Sequence, residues 1–182
     1  MKFSVSKALA FGSVLFGGLL AGVTANRALV ELPAWERVGA ISWASFTRAE
    51  NHGIGSFFYP VIGLLALLLT VVTAIAFRFD PSARSSRKFP AYAAALLAIM
   101  YSAITRVILV PAAFRLRVAG NDGAELQQIF VGIAPWWGVN DFLHVLVFGL
   151  SLWALAEILA RPNAGQAESS AQLVGQVRLN GS

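Results

Sequence analysis

The sequence predicts an all-α integral membrane protein, a four-helix bundle with a short interfacial helix in its first outer loop. Three observations predict it. Hydrophobic residues make up 57% of the 182-residue chain and charged residues only 13%, a balance too apolar for an ordinary soluble domain. The apolar content is gathered into four windows, residues 8–25, 54–77, 91–112 and 136–160. At about 1.5 Å of rise per residue, each can cross or nearly cross a hydrocarbon layer about 30 Å thick. Within the windows apolar and polar residues do not alternate as in a barrel strand, and lipid offers the backbone no hydrogen bonds, so the runs are expected to be helices.

The first window, with Lys2 and Lys7 before it and "AGVTA" ending at Ala25, also has the texture of a cleavable secretory signal. Its Gly18–Gly22 pair, echoed by Ser13 and Gly17 at the same spacing, favours a retained helix whose small residues admit a close neighbour, including a second copy of the chain. Pro33 is expected to break this helix. From Ala34 onward Trp35, Val38, Ile41, Trp43 and Phe46 mix with Glu36, Arg37, Arg48 and Glu50, which suits an interfacial helix with tryptophans at headgroup level.

The second window opens close to Pro60. The connection "RFDPSARSSRK" carries Pro81 and leads to Pro90, placed where a helix-opening proline belongs. The third helix is expected to end near Pro111, and "RLRVAGNDGAELQQIFVGIAP" to return through a turn at "GNDG" and a short helix from Ala124 to Val131. The fourth window follows. Residues 1–160 thus form the spanning bundle, and residues 161–182, small, polar and without aromatics, a flexible cytoplasmic tail.

Counting Lys and Arg in the flanks orients the bundle. With the N-terminus inside, the inner segments hold Lys2, Lys7, Arg78, Arg84, Arg87, Lys88, Arg161 and Arg178, against Arg27, Arg37, Arg48, Arg106, Arg115 and Arg117 outside. This predicts an inner-membrane protein with both termini cytoplasmic. The net charge of +5 then reads as a topology signal and an attraction to membrane lipid, not as nucleic-acid binding. With no cysteine, disulfides, thiolate catalysis and Cys-based metal sites are excluded.

The fourth window holds the informative residues. "APWWGVNDFLHVLVFGLSLWAL" could cross a bilayer, yet near its start it carries Asn140, Asp141 and His144, side chains that lipid tolerates poorly. Their spacing of three and four places them on adjoining parts of one face. Arg106, inside the third window, is expected to face inward and pair with Asp141 or Glu50, with His144 or His52 available as proton acceptor. Trp137 and Asn140 would complete a polar pocket at the outer mouth. An acid, a base and an anion-holding cation around an apolar cavity suit proton transfer on a small lipophilic substrate. The donors lack HxxxH or ExxH spacing, so neither a metal nor another cofactor is expected.

The segments "FGGLLAGVTANRALVELPAW", "FTRAENHGIGSFFYPVIGLLALLL" and "WWGVNDFLHVLVFGLSLWAL" give the chain its layout. Over roughly residues 8–158 it resembles the small four-helix bacterial membrane proteins grouped with anthrone oxygenases. In that family a tryptophan opens helix four, followed by an Asn and a basic residue at helical spacing, and Trp137, Asn140 and His144 match. Arginine is the more familiar basic residue there, so His144 is a departure. The resemblance implies a cofactor-independent oxygenase acting on a flat phenolic or quinone-type molecule, with His144 as base and Arg106 as nearby cation. The competing class is a non-enzymatic scaffold or accessory subunit whose polar cluster orders the helices.

Overall fold

The computed structural model describes residues 5–52, 54–79 and 85–160, with Asn51, His52 and residues 85–87 described in backbone alone. The described residues are helical, without strands. They form α1 (Val5–Asn26), α2 (Leu32–Val38), α3 (Ala40–His52), α4 (Gly55–Arg78), α5 (Ser85–Ile104), α6 (Val110–Val118) and α7 (Gly123–Leu159). Two π-turns, Arg27–Glu31 and Thr105–Leu109, join α1 to α2 and α5 to α6 without a break. The expected tail, residues 161–182, lies outside the described residues.

Four continuous helices are long and apolar enough to cross a membrane: Val5–Val38, Gly55–Arg78, Lys88–Val118 and Gly123–Leu159. Their outward faces carry exposed Phe11, Leu15, Leu19, Leu64, Leu68, Leu96, Ile99, Phe142 and Leu152, far more contiguous apolar surface than a water-soluble monomer shows. The chain is accordingly a multi-pass membrane protein. Consecutive long helices pack side by side, α1 on α4, α4 on α5, α5 on α7 and α7 back on α1, which closes a four-cornered bundle.

Inside the bundle small residues set the spacing. Ala10, Ala74, Ala91, Ala95 and Ala154 pack around Phe77 and Ile158. Three buried hydroxyls bridge helices: Ser13 Oγ lies 2.8 Å from Thr70 Oγ1 and donates to Ser151 Oγ at 3.3 Å. Such contacts satisfy hydroxyls that lipid would leave unpaired. Gly18 serves the same bundle, since a Cβ there would meet the Phe148 ring at 3.0 Å, whereas nothing lies near Gly22.

Three of the four long helices outrun a bilayer, and their surplus collects at one end. At that end α2, α6 and the first half of α7 project past the start of α4, and α3 fills the corner that α4 leaves empty. The result is a second apolar core, here called the cap, built from Trp35, Trp43, Leu116, Leu126, Ile129, Phe130, Ile133 and Trp137. Its rings meet edge to face or tilted, with centroids 5.0 Å apart for Trp43–Phe130, 5.5 Å for Trp35–Trp137 and 5.9 Å for Trp43–Trp137. Each such pair adds about 0.5–1.5 kcal/mol beyond simple burial.

Each π-turn precedes a proline. Pro33 and Pro111 each follow a π-turn by two residues, and in a regular α-helix their rings would strike the carbonyls of Leu29 and Val107. Widening the turn by one residue removes the collision, and the N–H groups of Leu32 and Val110 bond to the carbonyls of Arg27 and Thr105 instead. Pro33 therefore does not end the first helix, contrary to expectation. The chain breaks at Gly39, whose φ of 83° is a conformation that side chains disfavour. Three further expectations are corrected. The third long helix does not end near Pro111 but runs on to Val118. The "GNDG" turn leads directly into α7, N-capped by Asp122 Oδ1 on the N–H of Ala124 at 2.8 Å, so no separate short helix precedes the fourth span. Pro90 lies inside α5 and does not open it.

Arg48 anchors α3. Its guanidinium donates to the carbonyls of Leu116 (3.1 Å), Ala119 (2.6 Å) and Gly120 (2.8 Å) and to Asn121 Oδ1 (3.0 Å), capping the C-terminal carbonyls of α6 with a cation. Arg48→Ala is expected to lower stability by about 2 kcal/mol, and Arg48→Lys to restore only part of it, because one ammonium cannot span four acceptors. Thermal unfolding of the detergent-solubilised variants reads both effects.

Candidate functional site at the base of the cap

One face of α7 runs through both cores. Phe130, Ile133, Trp137, Asn140, Asp141, His144, Val147, Ser151, Ala154 and Ile158 recur at spacings of three and four and are all buried. Asn140, Asp141 and His144 are 3%, 2% and 8% exposed. Polar groups are tolerated in this apolar helix because they point into the bundle, where partners await them.

Those partners come from the two π-turns. Arg27, the first residue of one, grips Asp141 with two nitrogens: Nε donates to Oδ2 at 3.1 Å and Nη2 to Oδ1. Thr105, the first residue of the other, shares its hydroxyl proton between the Tyr101 carbonyl at 2.9 Å and Asn140 Oδ1 at 3.2 Å. Neighbouring residues of α7 are thus held from opposite sides by equivalent positions of the two π-turns. Counted along the helices, Arg27 lies about 33 Å from Val5, Thr105 about 30 Å from Ser85, and Asp141 about 27 Å from Leu159. The polar residues form a layer between the spanning core and the cap.

The Arg27 guanidinium also lies 5.9 Å from the Trp137 ring centroid, a cation–π distance. One turn deeper, the His144 ring stacks on Tyr101 with centroids 3.9 Å apart. Among the described residues nothing hydrogen-bonds its ring nitrogens. On the rim, Asn26 Nδ2 donates to Glu31 Oε1 at 2.8 Å, and the Tyr59 hydroxyl donates to Glu50 Oε1 at 3.0 Å. Glu31 is within electrostatic range of Arg27, Glu50 and Asp141, so Arg27 acts on more than one carboxylate. Above the layer, Trp43 Nε1 and Thr47 Oγ1, four residues apart on α3, are buried without a hydrogen-bond partner among the described residues.

The structure brings together Asp141, Asn140, His144 and Trp137, with Glu50 at the rim. It does not bring Arg106 to them. The expected pairing of Arg106 with Asp141 or Glu50 is corrected: Asp141 is held by Arg27, Glu50 by Tyr59, and Arg106 is exposed. In the third long helix the inward position at this level belongs to Thr105 of the π-turn, and the next residue along a helix points about 100° away. The side chain of His52 lies outside the described residues. Among those described, no three His, Asp or Glu side chains converge as a metal would require.

Sequence reasoning placed Arg27 at the outer end without pairing it to Asp141, and missed Thr105 and Tyr101. Arg27 borders the first apolar window as Arg106 lies within the third, and charge alone does not choose between them. The discriminating signal is rotational phase, set by π-turns that a periodicity of 3.6 does not anticipate. No family model, curated protein or solved structure matches the chain.

Proposed function

We propose that the protein is an inner-membrane protein with cytoplasmic termini that takes a flat, lipophilic phenolic or quinone-type molecule alongside the Arg27–Asp141 layer, reaching from His144 on its inner side to the base of the cap on the other. The layer then stands about one hydrocarbon thickness, roughly 30 Å, from the opposite helix ends, at the outer boundary of the lipid, with α3 at the interface. The observation that carries the reading is His144: it is buried, stacked on an aromatic ring and uncommitted at its nitrogens, beside a fixed Arg–carboxylate pair. In this role His144 accepts a proton from the ligand, Arg27 stabilises the resulting anion, and Trp43 Nε1 with Thr47 Oγ1 offers hydrogen bonds to a ligand carbonyl.

The resemblance to anthrone-oxygenase-like proteins supplies a concrete chemistry. A methylene between aromatic rings loses a proton to His144, and the carbanion passes an electron to molecular oxygen. Recombination gives a hydroperoxide that eliminates water. The net change is CH2 + O2 → C=O + H2O, with oxygen as the only oxidant.

A second reading is favoured by the pairing of Arg27 with Asp141 and of Thr105 with Asn140. In it the layer is a lock between helices in a non-enzymatic scaffold, and Gly22 remains available to a second copy of the chain.

Mass spectrometry of small molecules extracted from the purified protein separates the readings. The wild type and Arg106→Ala are expected to retain an aromatic ligand and His144→Ala to lose it, with oxygen consumption following the same order. Empty wild-type protein that is folded and exposed to candidate phenols would leave the lock as the explanation.

A further inference from the structure

At the end of the bundle opposite the cap, α4 and α5 separate into an open groove of about 930 Å³. Its floor is Ala74 and Ala95, 5% and 9% exposed, and the shortness of these side chains is why the groove exists. Ile75 and Tyr92 form the walls, while Arg78 and Lys88 stand at its mouth. From Lys88 to Ala95 the groove runs about 10 Å along the helix, from the charged end into the apolar stretch.

We infer that this groove binds an anionic phospholipid, its phosphate between Arg78 and Lys88 and the upper part of one acyl chain along Ala74 and Ala95. The inference rests on the membrane-spanning reading. Charge complementarity selects the occupant. Arg78 and Lys88 give the mouth two positive charges, and in sequence residues 79–87 hold Arg84 and Arg87 against a single carboxylate, Asp80. Apolar walls beneath a cationic rim match a lipid with a phosphate head, and interhelical basic pockets at the cytoplasmic side recognise such heads. A zwitterionic lipid offers the same chain but cancels the attraction at its head. A free anion gains nothing from the apolar floor.

The test is lipid retention by native mass spectrometry after the full chain is reconstituted in vesicles of equal parts phosphatidylglycerol and phosphatidylcholine. Wild-type protein is expected to keep phosphatidylglycerol preferentially, and the double variant Arg78→Ala, Lys88→Ala to lose that preference about tenfold or more. Ala95→Leu, which fills the floor and leaves the charges in place, is expected to reduce the amount of lipid retained. Flotation with the vesicles reports insertion separately, so a chain that does not float overturns the membrane reading. Equal retention of both lipids by floating wild-type protein overturns the site alone. An unchanged preference in the double variant, or undiminished retention by Ala95→Leu, does the same.

Discussion

Asp141→Ala is expected to destabilise the bundle by about 3 kcal/mol, because it leaves the Arg27 guanidinium without its carboxylate. The Arg27 side chain is 24% exposed and that of Asp141 only 3%, so Arg27 retains some access to solvent while Asp141 has almost none. The reverse change, Arg27→Ala, strands the less accessible charge and is expected to cost at least as much. Removing both, as Arg27→Met with Asp141→Leu, should recover most of the loss, since a pair of apolar side chains of similar volume leaves no buried charge unpaired. Denaturation in mild detergent measures all three. A double variant as unstable as the sum of the single changes would show that the two side chains do not act on each other.

Trp43→Ala is expected to cost about 3–5 kcal/mol and to act on the cap alone. Trp43 is 1% exposed and touches Trp35, Phe130 and Trp137, so its removal opens the centre of the aromatic layer and frees α3. Hydrogen exchange should then lose protection over α3 and the first turns of α7 while α1 and α5 keep theirs. Trp153, 49% exposed on the side of the bundle, is the control: Trp153→Ala should leave both layers protected. Uniform loss of protection after Trp43→Ala would mean that cap and span unfold as one unit.

The spans were legible in the sequence because their signal is local: twenty apolar residues in a row need no partner to be recognised. The inward placement of Asn140, Asp141 and His144 was legible too, since a spacing of three and four on one helix fixes their relative directions. What was not legible is which arginine meets Asp141. That depends on the rotation of a different helix, and Arg27 and Arg106 differ there through neighbours distant in sequence. The cap was not legible for a related reason. Trp35 and Trp43 look interfacial one by one, and only their convergence with Phe130 and Trp137 makes them a core. Trp136, the neighbour of Trp137 in sequence, is 41% exposed and stays outside that core. Pro33 marked a real irregularity, but the chain accommodated it with a wider turn and kept the helix.

Those wider turns divide each of the two helices that carry them into two angular frames. A π-turn holds one residue more than the α-turn it replaces, so everything beyond it is rotated by about 100° relative to an uninterrupted helix. Both helices that carry one do so at the same height, and there the paired side chains are gripped. The coupling resembles a spline between two shafts: the lower shaft's facing is set by the bundle, the upper one's by the cap, and the single surplus residue in each helix reconciles them. A residue gained or lost at either place would turn α2 or α6 by about 100° against α7, whose one face serves both cores, and so undo the cap's packing while the span below kept its register.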